Sequence, residues 1–173
     1  IRTLGKLEIR LDGAEIPGLT RRKEQALLVY LTCQPGVRFS REHLQGLLWS
    51  ESARKQAANS LRQALSALRR LLPPDSLLAD GATVAWNPDA PLLLDHRRVA
   101  DAPESCREPF LQGFVVRKAP LWEEWLEAER ERLRLLALEG LLRRSAELES
   151  ADPDAAIAHL QQALALEPWR EST

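Results

Sequence analysis

Apolar and polar residues alternate with a helical period in some segments of this chain and with a period of two in others. Between positions 53 and 72 the apolar residues recur at spacings of three or four, which predicts one amphipathic helix. They are Ala58, Leu61, Leu65, Leu68 and Leu72. Over 7–11 the apolar residues instead alternate with charged ones, which is typical of a half-buried strand within 4–11. Asp12-Gly13 then indicates a two-residue hairpin turn, so 14–19 is predicted as the return strand.

The same criteria predict further helices on both sides of 53–72. One is capped by Thr20, runs to about Gln34 and is ended by Pro35-Gly36. After a short extended piece at 37–39, Ser40 caps a second helix over 41–49. A second hairpin is predicted at 77–86 around Asp80-Gly81. A long helix follows over 120–149, and a last one over 155–166 that ends before Pro168.

The order hairpin, helix, helix, basic helix, hairpin predicts a helix-turn-helix with a wing. The fold class is therefore mainly α with small β hairpins. We predict a winged-helix DNA-binding domain over 1–98, a connector over 99–120 with several prolines, and a helical domain that starts at 121 and includes 121–173. Within the connector, Phe110, Leu111 and Phe114 are spaced to pack onto the long helix.

The predicted helix over 53–72 carries a second, polar stripe roughly a quarter-turn from the apolar one. It consists of Lys55, Asn59, Arg62, Ser66 and Arg69 and contains no carboxylate. Such a stripe suits the major groove, where cations meet phosphates or guanine and Asn pairs with adenine. Asn59 and Arg62 are the candidates for base edges, and Lys55 and Arg69 the candidates for phosphates. Arg54 and Arg70 flank the stripe, and Thr83 in the wing is the remaining DNA-binding candidate.

Charge supports this assignment and the composition narrows the alternatives. The 173 residues have a net charge of −1, but 1–100 contain 15 Lys and Arg against 10 Asp and Glu, and 101–173 contain 9 against 15. A basic first part and an acidic second part indicate that only the first meets a polyanion. The sequence has no long apolar run and contains only two cysteines, Cys33 and Cys106. Both observations suggest a reduced cytoplasmic setting. Scattered histidines and the lack of phosphate-binding loops predict no metal, no cofactor and no enzymatic activity.

The last segment, 151–168, looks like one tetratricopeptide unit with small residues at Ala156, Ala163 and Ala165. Repeats of this kind bury their faces against neighbours, so the chain is expected to be cut inside a longer helical array. We therefore expect Ala156, Leu160 and Leu164 to remain partly unburied in a monomer.

Several segments, in order, resemble the bacterial transcriptional activator domain proteins, which include the antibiotic regulatory proteins. The segments are LGKLEIRLDG (4–13), KEQALLVYL (23–31), FSREHLQGLLW (39–49), NSLRQALSALRRLL (59–72), EPFLQGF (108–114) and WEEWLEAERERLR (122–134). The resemblance implies a response-regulator-type winged helix followed by a tetratricopeptide-like domain. It also implies binding to double-stranded promoter DNA and contacts with RNA polymerase.

The function that these observations predict is sequence-specific transcriptional regulation, with 53–72 in the major groove and 77–86 as the wing. The helical domain would serve partner contact, as a homodimer or through further repeats. The alternative is a non-enzymatic protein–protein interaction module in which the basic helix is merely exposed. Affinity for DNA that falls steeply with salt distinguishes the two.

Overall fold

The computed structural model describes residues 1–166, which divide into two compact units. The three-helix unit consists of 9–93 and 115–126. The long-helix unit consists, among the described residues, of 1–8, 94–114 and 127–166. The sequence-based boundaries at 98 and 120 divide the chain into domains that would fold separately. Compact units defined by contacts do not test that division, so the boundaries stay a prediction.

The three-helix unit contains three helices and two small antiparallel sheets. Its elements are β1 (Arg10–Leu11), β2 (Ala14–Glu15), α1 (Arg22–Cys33), β3 (Phe39–Ser40), α2 (Arg41–Trp49), α3 (Arg54–Leu71), β4 (Leu77–Ala79) and β5 (Thr83–Trp86). Strands β1 and β2 pair across Asp12 and Gly13, whose φ angles of 50° and 83° are those of the predicted hairpin turn. The second predicted hairpin is also present, as β4 and β5.

Two details of the sheets differ from the sequence-based expectations. The strand predicted over 4–11 is reduced to β1, because the chain turns at Gly5, whose φ is 85°. The extended piece near 39 becomes β3, which pairs with β5, so the second sheet has the order β3-β5-β4. Pairing between residues more than forty positions apart leaves no local signal in the sequence.

The helix limits agree with the periodicity to within two residues at most ends. The Ser40 side chain accepts a hydrogen bond from the His43 amide at 3.0 Å, which is the predicted cap of α2. Thr20 does not cap α1: the capping position is Arg21, and no side chain fills that role. The N-cap position of α3 is Ala53, which likewise provides no side-chain hydrogen bond.

The core of this unit forms where the apolar faces of the three helices meet. Leu27, Leu28, Leu31, Leu44, Leu48, Leu61 and Leu68 are fully buried. The apolar stripe of α3 is displaced slightly from its predicted position, because Ala57 and Ala64 are buried whereas Ala58 is exposed. At about 100° per residue, Ala58 lies roughly 60° from Leu61, which puts it at the edge of the buried arc.

The long-helix unit is built on α4 (Pro120–Leu148), most of which belongs to it, and on α5 (Pro153–Leu166). Two short 3-10 helices, Asp95–Ala100 and Pro103–Ser105, precede α4. Leu4 forms an antiparallel bridge with Phe110, and the Asp95 carboxylate accepts hydrogen bonds from the Thr3 and Leu4 amides. The first residues of the chain are thereby joined to the segment before α4.

The connector packs as the sequence predicts. Phe110, Leu111 and Phe114 are 2%, 0% and 3% exposed. The Arg130 guanidinium of α4 donates hydrogen bonds of 2.8 Å to the carbonyl oxygens of both Phe110 and Leu111. This segment is therefore fixed to the long helix by apolar burial and by hydrogen bonds to its backbone.

The expectation for α5 is partly wrong. Leu160 and Leu164 are exposed, but Ala156 is only 5% exposed, because its small side chain lies on the face of α5 that is buried within the unit. Pro168, which was expected to close the repeat, lies outside the described residues. No helix within 1–166 is both long and apolar enough to cross a membrane.

Candidate nucleic-acid interface

Helix α3 presents its polar stripe to solvent along its whole length. Lys55, Asn59, Arg62, Ser66 and Arg69 are all exposed, as are the flanking Arg54 and Arg70. The 18 residues of α3 include no acidic residue, and their buried side chains lie on the other side of the helix. At 1.5 Å per residue such a helix is about 27 Å long. A surface of this shape and charge can lie in the major groove with its cations toward the phosphates.

The two candidates for base contact lie together in the middle of the helix. The Arg62 Nη2 atom donates a hydrogen bond of 2.5 Å to the Asn59 Oδ1 atom. This bond orients the guanidinium and the amide together on the exposed face. It also indicates which atom of Asn59 is the carbonyl oxygen, so the amide nitrogen is available to donate to a base.

The basic residues toward the ends of α3 have different surroundings. Arg54 forms an ion pair of 2.8 Å with the exposed Glu42 of α2. Arg69 Nη2 lies 3.5 Å from the Ala79 carbonyl oxygen of β4. An exposed pair such as Arg54–Glu42 contributes little to stability and opens readily toward a phosphate.

The turn between β4 and β5 is held in place by α2 and by its own hydrogen bonds. The Arg41 Nε and Nη2 atoms donate to the Asp80 carbonyl oxygen at 3.0 and 2.7 Å. The Asp80 carboxylate accepts from the amides of Thr83 and Ala82 and from the Thr83 hydroxyl, and these bonds hold the pKa of Asp80 below its usual value. Arg38 adds an exposed ion pair to Asp80 at 3.2 Å. The loop is therefore ordered although it is exposed.

Arg41 is a residue that the sequence analysis missed. Together with Arg62, Ser66, Arg69 and Arg70 it lines a shallow concavity of about 250 Å³ on the polar side of α3. The sequence shows that Arg41 directly follows the Ser40 cap. It does not show that Arg41 lies close to the β4–β5 hairpin, because that proximity depends on the pairing of β3 with β5. The concavity brings four guanidinium side chains to one place, which is the chemistry that binds phosphate.

Lys23, near the start of α1, is not a simple solvated cation. Its Nζ atom donates to the Leu48 carbonyl oxygen at 2.5 Å and lies 5.7 Å from the centroid of the Trp49 ring. Burial of its ammonium group lowers the pKa of Lys23, against a smaller opposing effect of Glu51. Trp49 is 8% exposed, as expected for a core residue.

The tryptophans at the start of α4 lie within the three-helix unit. The Trp125 ring lies 5.0 Å from the Tyr30 ring of α1, and 4.8 Å from the Trp122 ring. Both tryptophans belong to the range 121–173 that is predicted as a separately folding helical domain, and that division stays a prediction. The Tyr30 hydroxyl lies 2.7 Å from the Nε2 atom of the exposed His43, within hydrogen-bond distance. Within the described residues, no three His, Cys, Asp or Glu side chains are grouped to hold a metal ion.

Comparison with known proteins agrees with this geometry. Residues 17–80, which include α1 to α3 and β4, match the family described as "Transcriptional regulatory protein, C terminal". A search of curated proteins returned no match.

A solved structure has a similar fold over nearly the whole chain. It is Mycobacterium tuberculosis EmbR in complex with a low affinity phosphopeptide, with a TM-score of 0.62 and 20% identity. The similarity includes 95% of this chain but 54% of that one, so this chain spans about half the length of EmbR. Residues 17–80 are thus similar to the C-terminal part of transcriptional regulatory proteins, and the fold over nearly the whole chain is similar to that of EmbR.

Proposed function

We propose that the chain regulates transcription by placing α3 in the major groove of a specific DNA sequence. Asn59 and Arg62 contact base edges, whereas Lys55 and Arg69 contact phosphates on either side. Arg54, Ser66 and Arg70 add backbone contacts at the flanks. The observation that carries this proposal is the exposed, acid-free face of α3 in a domain that matches a transcription-regulator family.

The β4–β5 hairpin acts as the wing and meets the neighbouring backbone or minor groove. Thr83 is the candidate contact, and its hydroxyl is already engaged with the Asp80 carboxylate. The supporting observation is that Arg38 and Arg41 hold this loop before DNA arrives. A loop that is ordered in advance loses less conformational entropy on binding.

The helical part after the winged helix is proposed to serve contacts with protein partners. Its exposed apolar side chains include Leu160 and Leu164 of α5, at 43% and 68% exposure. Such a face suits further helical repeats of tetratricopeptide type or a second copy of the chain. Contacts with RNA polymerase follow from the family resemblance alone.

The test is selection of duplexes from a random library by the complete chain, followed by titration of the selected duplex at several salt concentrations. If about five cations meet phosphates, the slope of log affinity against log salt is about −4 to −5. A matched control is Arg98→Ala, which removes an exposed cation of the long-helix unit and should leave the slope unchanged. Failure to enrich any duplex, or binding that does not respond to salt, would favour the protein-interaction module instead.

A further inference from the structure

A second concavity lies entirely within the three-helix unit, and the proposed DNA contacts do not use it. It has a volume of about 580 Å³ and is formed by the start of α1, the end of α2, one side of α3 and the segment 115–117. Cavities of roughly 300 to 1,000 Å³ are the usual size of small-molecule sites. Ser60 and Gln63 of α3 line it, each next in sequence to one of the proposed base-contacting residues.

The inner lining of this cavity is apolar and packed. Trp49, Ala64 and Val116 contribute to it and are 8%, 3% and 2% exposed, so their side chains are held in fixed positions. Val115 stands at the edge with 61% exposure. An aromatic ring and aliphatic groups at fixed positions favour a flat apolar ligand body.

The cations around the cavity outnumber its acids. Arg21, Arg22, Lys23 and Arg117 line it, and Glu24 is the one acidic residue among its lining. Glu24 is already paired with Arg21 at 3.5 Å, and its side chain is 6% exposed. The carboxylate that acts on Lys23 is Glu51, which does not line the cavity, and the direct hydrogen-bond acceptor of Lys23 is the Leu48 carbonyl oxygen.

We propose that this cavity binds a small organic anion that has a flat apolar body. The apolar part lies against Trp49 and Val116, and the anionic group lies near Lys23 and Arg117. Lys23 is the central residue, because its half-buried ammonium group lines the cavity with one carbonyl acceptor and an aromatic ring as its direct contacts, and the effect of Glu51 on it is smaller than that of burial. An anion placed there gains from reduced solvent screening.

The combination of features favours a small molecule over the DNA backbone. A phosphodiester needs exposed cations and no apolar cavity, as on the polar side of α3. The cavity also lies beside Ser60 and Gln63, which are about 100° and 40° around the helix from Asn59, the nearest residue of the exposed stripe of α3. A ligand held there would contact the recognition helix without covering the stripe.

The experiment uses the complete ¹⁵N-labelled chain and two matched probes, naphthalene-2-sulfonate and its uncharged counterpart naphthalene-2-sulfonamide. We expect the sulfonate to shift the amide signals of Ser60, Val116 and Arg117 and the indole signal of Trp49. The sulfonamide should bind more weakly. Arg117→Glu should weaken sulfonate binding at least about tenfold, because an attractive charge a few ångströms away becomes repulsive.

Two further variants distinguish binding in the cavity from a general effect of the charge of the chain. Arg98→Glu makes the same charge change on an exposed residue of the long-helix unit and should alter the dissociation constant less than about twofold. Ser60→Trp should block the cavity while the dispersion of the spectrum shows that the chain still folds. Equal binding of both probes, no effect of Arg117→Glu, signals that shift only on α5, or the same shifts with inorganic phosphate would each overturn the proposal.

Discussion

Replacing Arg62 and Lys55 one at a time distinguishes a base contact from a phosphate contact on the same helix. Both side chains are exposed and both belong to the acid-free stripe of α3. Arg62 lies in the middle of the helix and is hydrogen-bonded to Asn59, whereas Lys55 lies in the first turn. Since an Arg beside an Asn can read base edges whereas a lone Lys acts on phosphates as a point charge, we predict that the two residues affect binding in different ways.

The expected size follows from the chemistry of each contact. A bidentate Arg–guanine contact is worth about 1–3 kcal/mol, so Arg62→Ala should weaken cognate binding by about 5- to 150-fold. It should also relax the base preference at one position. Lys55→Ala should weaken all duplexes alike and reduce the magnitude of the log–log salt slope by about 0.9.

Stability should not complicate this comparison. The Arg62–Asn59 hydrogen bond is exposed, and Ala is the strongest helix former, so each replacement should change the free energy of unfolding by about 0.5 kcal/mol or less. Fluorescence anisotropy on the selected duplex and on duplexes with single-base changes gives both quantities. Equal, sequence-independent losses for the two variants would refute a base contact by Arg62.

Three further predictions concern the fold and use urea unfolding of the complete chain. Phe110→Ala should lower the free energy of unfolding by about 3–5 kcal/mol, since the ring is 2% exposed and leaves a cavity; a loss below about 1 kcal/mol would contradict this packing. Ser40→Ala should lower it by about 1 kcal/mol through loss of the α2 cap, and Ser40→Asp should restore most of that amount. Burial lowers the pKa of His96 below 6.5 in spite of Asp95, so the unfolded chain binds more protons in acid. Stability should therefore fall as the pH drops from 7 through 6.5 toward the lowered pKa, and His96→Gln should flatten this dependence.

The helices were predictable because their signals are local. Ser40 caps α2 as expected, and Pro120 begins α4. The pairs Glu127–Arg130, Glu129–Arg132 and Glu131–Arg134, at the i,i+3 spacing of a helix surface, form ion pairs of 2.5 to 2.8 Å. Spacings of three and four residues act within one turn of backbone, so the sequence alone contains this information.

The sheets and the first residues were less predictable because their partners are distant in sequence. The alternation over 7–11 indicated a strand within 4–11, yet Leu4 bridges to Phe110 and the chain turns at Gly5. In the same way, β3 is two residues long and owes its existence to β5. A period of two shows which side chains share a face, but not whether a partner strand is within reach.

For the candidate site, the sequence by itself determined which residues form the polar face of α3. The helix has no acidic residue, and its cations and Asn59 recur at helical spacing and are exposed. Tertiary structure decided which further residues join that face. Arg41 enters because β3 pairs with β5 and brings the end of the hairpin within hydrogen-bond distance. The fold also places the Lys23 ammonium group beside the Trp49 ring and within hydrogen-bond distance of the Leu48 carbonyl oxygen. Helical spacing depends on neighbours a few residues apart, whereas these contacts depend on chain segments that meet only when the whole unit folds.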